Sequence, residues 1–294
     1  MSKTLNYQNR APALLPLYAR AIIPKGGAGS KNGDAVHIPP LTATLTGITT
    51  DRERLARYQR VCGFASSSIM PITWPHIEAF PLHIRLMTDA AFPLPLLGLV
   101  HLRNSITQHR PIYQGECLDI ECTLTNQVNG DRGIEFDVLT TAFSSGRCVW
   151  EESSTILFRQ ASSGGSSKGG ARTPPEKLTH ERGVSAPGDI GRRYGKVSGD
   201  LNPIHLHALS AKAFGFPRAI AHGMWSKAHC LAVLGGERDF HQGAVRAEAA
   251  FKTPLLLPGT ASLSWDQNGN EWPFRLLNAK GTAPHLEGSL HWLD

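Results

Sequence analysis

The sequence predicts an α+β protein made of two copies of one unit, each an apolar helix followed by several antiparallel strands. Three observations lead to this reading. The stretch ASSGGSSKGGARTPP, from Ala161 to Pro175, divides the 294 residues into near-halves and has the Gly/Ser-rich composition of a flexible connector. Short motifs recur on its two sides in the same order: YQRVCGF from Tyr58 with YGKVSGD from Tyr194, Pro71-x-x-x-x-His76 with Pro217-x-x-x-x-His222, and Arg103 and Pro111 with Arg246 and Pro254, at offsets of 136, 146 and 143 residues. In each half an apolar run long enough for a buried helix precedes segments with the alternation of strands.

In the first half the buried helix is expected over Ala79 to Thr88, with strands near Leu99 to His109, Leu118 to Thr125, Gly133 to Phe143 and Val149 to Phe158. In the second half Asp189 to Val197 reads as a helix. Asn202-Pro203 then starts another, because Asn caps a helix and Pro suits its first position. That helix is expected to run to Phe214 and stop at Gly215. GMWSKAHCLAVL, from Gly223 to Leu234, is the buried helix of this half, bounded by Gly235-Gly236. Strands follow at Ala244 to Thr253, Thr260 to Trp265, Pro273 to Leu277 and His285 to Trp292, so each sheet is expected to wrap around its helix. The offset grows by ten residues between the first two matches, which places an insertion in the second copy after Tyr194.

Composition removes several classes of function. With 41% hydrophobic and 18% charged residues the chain has apolar surface for real cores. Its 29 Gly and 20 Pro fall short of a low-complexity composition. The longest apolar run, Pro93 to Val100, is interrupted by prolines and a glycine, so no membrane span is expected. Ala13 to Tyr18 contains Pro16 and lacks the pattern of a cleaved signal peptide. Five cysteines form an odd set with no C-x-x-C pair, and a reducing, cytoplasmic setting is the expectation. The net charge of +6 suits anionic partners. Its scattered distribution has no basic run or aromatic-basic alternation, so no nucleic-acid partner is expected. Gly26 to Gly33 meets neither phosphate-loop pattern and reads as a solvated loop.

The chemistry concentrates in VSGDLNPIH, from Val197 to His205. If Asn202 caps the helix, Asp200 and His205 flank the positive end of its dipole, which favours a carboxylate and a neutral imidazole. Such a pair converging on one water can transfer protons, whereas a purely structural reading has Asp200 satisfying backbone amides and His205 on the surface. In Ile220-Ala221-His222-Gly223-Met224 a glycine at a helix start gives a ligand access to backbone N–H groups, as an oxyanion site requires; a tight turn built from small residues is the plainer account. Metal ligation is not expected, because His205 and His207 point to different sides of a helix. Arg192, Arg193 and Lys196 either steer an anion or form a solvated helix face. Cys230 reads as a packed thiol.

Tyr194 to Ala211, YGKVSGDLNPIHLHALSA, with GFPRAIAHGM from Gly215 to Met224, resembles the signature of the MaoC-like dehydratases and R-specific enoyl-CoA hydratases (hydratase 2), here of the two-hotdog type. FKTPLLLPG, from Phe251 to Gly259, is similar in pattern. The resemblance implies a double hotdog: residues 1–160 an N-terminal hotdog, 161–176 the linker, and 177–294 the hotdog carrying the motif. It assigns Asp200 and His205 as the catalytic pair and the Gly223 N–H as oxyanion donor. Asn202, Ser198 and Tyr194 support them, and Ile220, Ala221, His222 and Met224 contact substrate. Ala219 departs from the family in standing where a proline is common. In the first copy Phe64 occupies the place of Asp200 and the insertion bearing His205 is missing, so that copy is expected to be catalytically silent and to accommodate the acyl chain. The implied activity is reversible hydration of trans-2-enoyl thioesters to (R)-3-hydroxyacyl thioesters in fatty acid metabolism. It needs no metal or redox cofactor, the substrate being carried on coenzyme A or an acyl-carrier phosphopantetheine. Alternatives are a hotdog thioesterase and a non-catalytic acyl-thioester-binding subunit. A monomer and a homodimer of such chains are both compatible with this reading.

Overall fold

The computed structural model describes residues 3–22, 36–160, 178–240 and 243–293. The expected linker at 161–176 and the Gly26 to Gly33 loop lie outside them. The first half contains β1 (Lys3–Gln8), α1 (Leu14–Ile22), β2 (Leu41–Thr49), α2 (Arg52–Cys62), α3 (Trp74–Met87), β3 (Leu99–Gln108), β4 (Cys117–Gly130), β5 (Gly133–Ser144) and β6 (Arg147–Arg159). The second contains β7 (His180–Ala186), α4 (Ile190–Ser198), α5 (Pro203–Leu206), α6 (Ala208–Ala213), α7 (Gly223–Glu237), β8 (Ala244–Phe251), β9 (Gly259–Trp265), β10 (Glu271–Asn278) and β11 (Pro284–Leu293).

The strands run in the order β1-β2-β4-β5-β6-β3-β8-β11-β10-β9-β7. Counted outward from the central β3–β8 pair, the two halves present the same sequence of strands, which is the double-hotdog arrangement. One refinement concerns the sheets. They were expected as two, but β3 and β8 pair antiparallel, with Thr107 opposite Arg246 and Arg103 opposite Ala250, and join them into one. The repeated Arg103 and Arg246 thus lie on the two strands of the seam. β1 adds a parallel strand outside β2. α3 and α7 are the enclosed helices, with Trp74, Leu82, Ala228 and Leu231 fully buried.

The repeated YxxVxG motif has a structural counterpart in both halves. α2 and α4 each end on a left-handed glycine, Gly63 at φ 87° and Gly199 at φ 83°, a conformation that strains any residue with a Cβ. Tyr58 and Tyr194 face one another across the two copies at 6.1 Å between ring centroids.

Three helix boundaries depart from the sequence expectation, each for a local reason. α3 begins at Trp74, earlier than Ala79, and tolerates Pro81 in its interior. Proline has no N–H for the Ile77 carbonyl, and Arg54 Nη2 donates to that oxygen instead at 3.3 Å. The helix expected from Pro203 to Phe214 breaks at His207, whose backbone is extended (φ −143°, ψ 149°). Its carbonyls are claimed from outside the helix: Ile204 O accepts from Ile220 N at 3.1 Å, and Pro203 O accepts from Ser210 Oγ at 2.7 Å. α7 runs through Gly235-Gly236 to Glu237. A Cβ on Gly235 would sit 3.2 Å from the Phe240 ring, so this glycine serves close packing rather than helix termination.

Candidate active site

Asp200 follows directly on α4, and its place is fixed by its neighbours. Its N–H donates to Ser198 Oγ at 3.1 Å, and its Oδ1 accepts from Asn202 N at 3.1 Å. Asn202 in turn caps α5, its side chain accepting from Ile204 N at 3.4 Å. Tyr18, arriving from α1, accepts from Leu201 N at 3.0 Å, and its hydroxyl reaches Gly199 O at 3.2 Å and Asp200 Oδ1 at 3.4 Å.

His205 lies on α5 with its ring buried, and its Nδ1 donates to Ile220 O at 2.9 Å. That bond fixes the neutral tautomer with the lone pair on Nε2. His222 stacks on the His205 ring at 3.7 Å between centroids and 26° between planes, and its Nε2 donates to Asp200 O at 3.1 Å. One ligand-type atom from each of Asp200, His205 and His222 lies within 4.8 Å of the others. His205 Nδ1 and His222 Nε2 each donate to a backbone carbonyl, which leaves one lone-pair nitrogen on each neutral ring for proton transfer. His207 is exposed between α5 and α6.

Burial pushes the His205 pKa below its usual value, with Asp200 partly opposing. Burial and the neighbouring His205 push His222 down to about 3. For Asp200 burial works against ionisation, but His222, His205 and the Asn202 amide outweigh it and hold the carboxyl below its ordinary range. The sequence reading credited these shifts to a helix dipole. α5 has only four residues, and a macrodipole of that length is small, so burial and close partners carry the effect.

Gly223 is the first residue of α7, and its N–H is among those with no acceptor inside the helix. A Cβ there would meet the Phe251 ring at 3.0 Å. The Gly223 amide, Asp200 and His205 all border one cavity of about 590 Å³, within the range of small-molecule sites. The cavity extends from them into the first half of the chain, along the α3 face formed by His76, Phe80, His83 and Met87 and against Ser154 and Ile156 of β6.

Comparison with known proteins identifies the family. Residues 171–271 match the family model described as "MaoC like domain". The chain is 33% identical over 261 residues to 3-hydroxyacyl-thioester dehydratase X of Mycobacterium tuberculosis, covering 87% of this chain and 91% of that protein. The chain belongs to the MaoC-like dehydratase family. The crystal structure of HtdX from Mycobacterium tuberculosis superposes on this MaoC-like chain with a TM-score of 0.75 at 31% identity, covering 86% of this chain and 100% of that one. A MaoC-like dehydratase from Phytophthora capsici shares the fold, with a TM-score of 0.71 at 17% identity over 88% of this chain and 98% of its own.

All ten residues singled out in the MaoC-like motif border the one cavity: Tyr194, Ser198, Asp200, Asn202 and His205 from the α4–α5 region, and Ile220, Ala221, His222, Gly223 and Met224 at the start of α7. Tyr194 is nonetheless almost wholly buried, with its ring 4.8 Å from that of His222, so it acts mainly as a wall behind the imidazole. Sequence reasoning missed Tyr18, whose segment carries no local sign of its target 182 residues away. It also missed the His76–Phe80–His83–Met87 face, although the spacing i, i+4, i+7, i+11 marks one side of a helix. Cys230 is fully buried, and burial pushes its thiol up to about 12, as a packed cysteine requires.

Proposed function

We propose that this MaoC-like protein reversibly hydrates trans-2-enoyl thioesters to (R)-3-hydroxyacyl thioesters. The observation that carries the proposal is the meeting of a carboxylate, a neutral imidazole with its lone pair on Nε2, and a helix-start N–H with no acceptor in its own helix, at the wall of one acyl-sized cavity. His205 Nε2 takes a proton from water while Asp200 accepts its second hydrogen and orients it. The water oxygen bonds to C3, and the C2=C3 electron pair moves toward the thioester carbonyl. The Gly223 N–H receives the developing oxyanion. The proton held by the Asp200–His205 pair then returns to C2, completing the addition of one water; dehydration runs the same steps backward.

The resemblance to the family supports the R configuration. Phe64, which stands at the place of Asp200 in the first copy, packs against the core and offers no acid or base. The first half therefore serves to house the acyl chain. Exposed Lys252 and Arg159 border the cavity, which favours a substrate carried on coenzyme A or a phosphopantetheine arm. All five cysteines are free thiols, in keeping with a reducing cytoplasm, and no helix among the described residues is long and apolar enough to cross a membrane.

The test follows trans-2-enoyl-CoA of increasing chain length by loss of the conjugated absorbance, with free thiol measured in parallel. Hydration without thiol release is expected. Thiol release without hydration would make the protein a thioesterase, and tight binding with neither reaction would make it a non-catalytic acyl-thioester-binding subunit.

A further inference from the structure

A hydrocarbon tail needs only an apolar tunnel, yet the part of this cavity that enters the first half is lined by His76, His83, His101 and Ser154 as well as by Phe80 and Ile156. His76, Ser154 and His83 are held by buried hydrogen bonds. Glu152, whose side chain is wholly buried, accepts from His76 Nδ1 at 2.8 Å and from Asn104 Nδ2 at 2.5 Å. Asn104 Nδ2 also donates to Ser154 Oγ at 3.0 Å. His83 Nε2 donates to Thr140 Oγ1 at 2.7 Å, and that hydroxyl passes its own proton on to Cys122 Sγ at 3.6 Å.

The network leaves hydrogen-bonding capacity unused. With His83 Nε2 committed as a donor, the second nitrogen of that ring is an acceptor. The Ser154 oxygen already accepts from Asn104, and its proton has no acceptor among the described residues. His101 Nε2 is buried without a hydrogen-bond partner among them. His83 and His101 are neutral near pH 7, since burial pushes them down to about 4 and about 3. A wall of neutral donors and acceptors suits an uncharged oxygen. It does not suit a carboxylate, which would lie close to Glu152.

Resting on the hydratase reading, we propose that the cavity selects acyl thioesters whose chain carries a neutral oxygen function, a hydroxyl or a ketone, beyond the reacting carbons, bound by His83, Ser154 and His101. A plain alkyl chain would leave these groups buried and unpaired, and sites built to bind a hydroxyl reject the analogue lacking it. His76 and His83 are seven residues apart on α3, about 10 Å along the axis, so the oxygen position must be scanned.

The experiment compares trans-2-enoyl-CoA esters of matched length with and without a hydroxyl or keto group at successive positions from C5 outward. Affinities of the corresponding saturated, unreactive acyl-CoA esters are measured by calorimetry. At the best position the oxygenated ester is expected to exceed its alkyl counterpart at least about tenfold in both kcat/KM and affinity. Ser154→Ala and His83→Leu should each remove most of that ratio, the oxygenated and alkyl esters being compared within the same variant, with folding checked by circular dichroism. Equal kcat/KM and affinity for both ester classes would overturn the proposal. So would a preference for carboxylate-bearing chains, which would point to Arg159. If no ester is hydrated, the hydratase reading fails, and the calorimetric comparison still decides this one.

Discussion

His205 divides its two ring nitrogens between structure and chemistry. Nδ1 is spent on Ile220 O, which leaves Nε2 as a base only while the ring is neutral. Because burial lowers its pKa, the base form persists as pH falls through 6.5 and is lost only when the lower folded value is reached. The expected profile of kcat/KM is therefore flat through pH 6.5, with an acid limb below it; an acid limb at or above 6.5 would contradict the assignment. Asp200→Asn and His205→Ala should each lower kcat by about 10²- to 10⁴-fold, the usual worth of a positioned acid–base group. Thermal unfolding should show both variants folded, because the Asp200 backbone contacts and the stacking surface of His222 survive. Unchanged hydration by either folded variant would remove that residue from the mechanism.

At the scale of elements, Gly223 shows how a helix start serves the site. A methyl there would have to displace Phe251, which itself borders the cavity. Gly223→Ala should therefore keep the fold but shift the amide and the ring together. A fall of about 10-fold in kcat/KM is expected, since the neighbour must give by a few tenths of an ångström and a full ~1 Å misplacement costs about 100-fold in a positioned site. Wild-type steady-state kinetics in that variant would show that the amide tolerates displacement. What the sequence made legible at this scale was local. The helix at α4, the Asn202 cap and the apolar run of α7 all declare themselves in a few neighbouring residues. What it concealed depends on distant partners. Arg54 rescues the carbonyl that Pro81 orphans, Ile220 takes the carbonyl that would have continued α5 into α6, and Phe240 fills the space left by Gly235. The Asp200–His205 pair was legible because both members sit within six residues of chain. Tyr18 and the polar wall of α3 and β6 were not, because nothing in their own segments names the cavity they meet.

For the whole molecule, the β3–β8 seam makes one body of the two copies and buries ionisable groups between and beside them. Lys227 of α7 is fully buried against the seam, donating to Asn104 O of β3 at 3.2 Å and Ala247 O of β8 at 2.9 Å, and burial pushes its pKa down to about 7. His83 and His222 stand at about 4 and about 3 against an unfolded value of 6.5. For each of these groups the folded pKa is the lower one, so the unfolded chain binds more protons between the two values and stability rises with pH across that window. The histidines act from about 3 or 4 to 6.5, at up to about 1.4 kcal/mol per pH unit each; Lys227 acts from about 7 to 10.5. Glu152, Asp89 and Glu116, each held at about 2 in the fold, extend the same slope below the histidine window. Glu78 opposes it, since burial raises its pKa, but it is a single group paired with Arg54 at 3.1 Å. Above pH 9 the buried thiols of Cys62, Cys122 and Cys230 reverse the trend, because their folded pKa values are raised and the unfolded thiols ionise first. The thermal midpoint should accordingly climb steeply from pH 4.5 to 6.5, keep rising more gently toward pH 8 to 9, and then turn down. In His83→Leu the rise between pH 4.5 and 6.5 should be visibly shallower, and an unchanged slope in that variant would show that His83 is not held neutral by the fold.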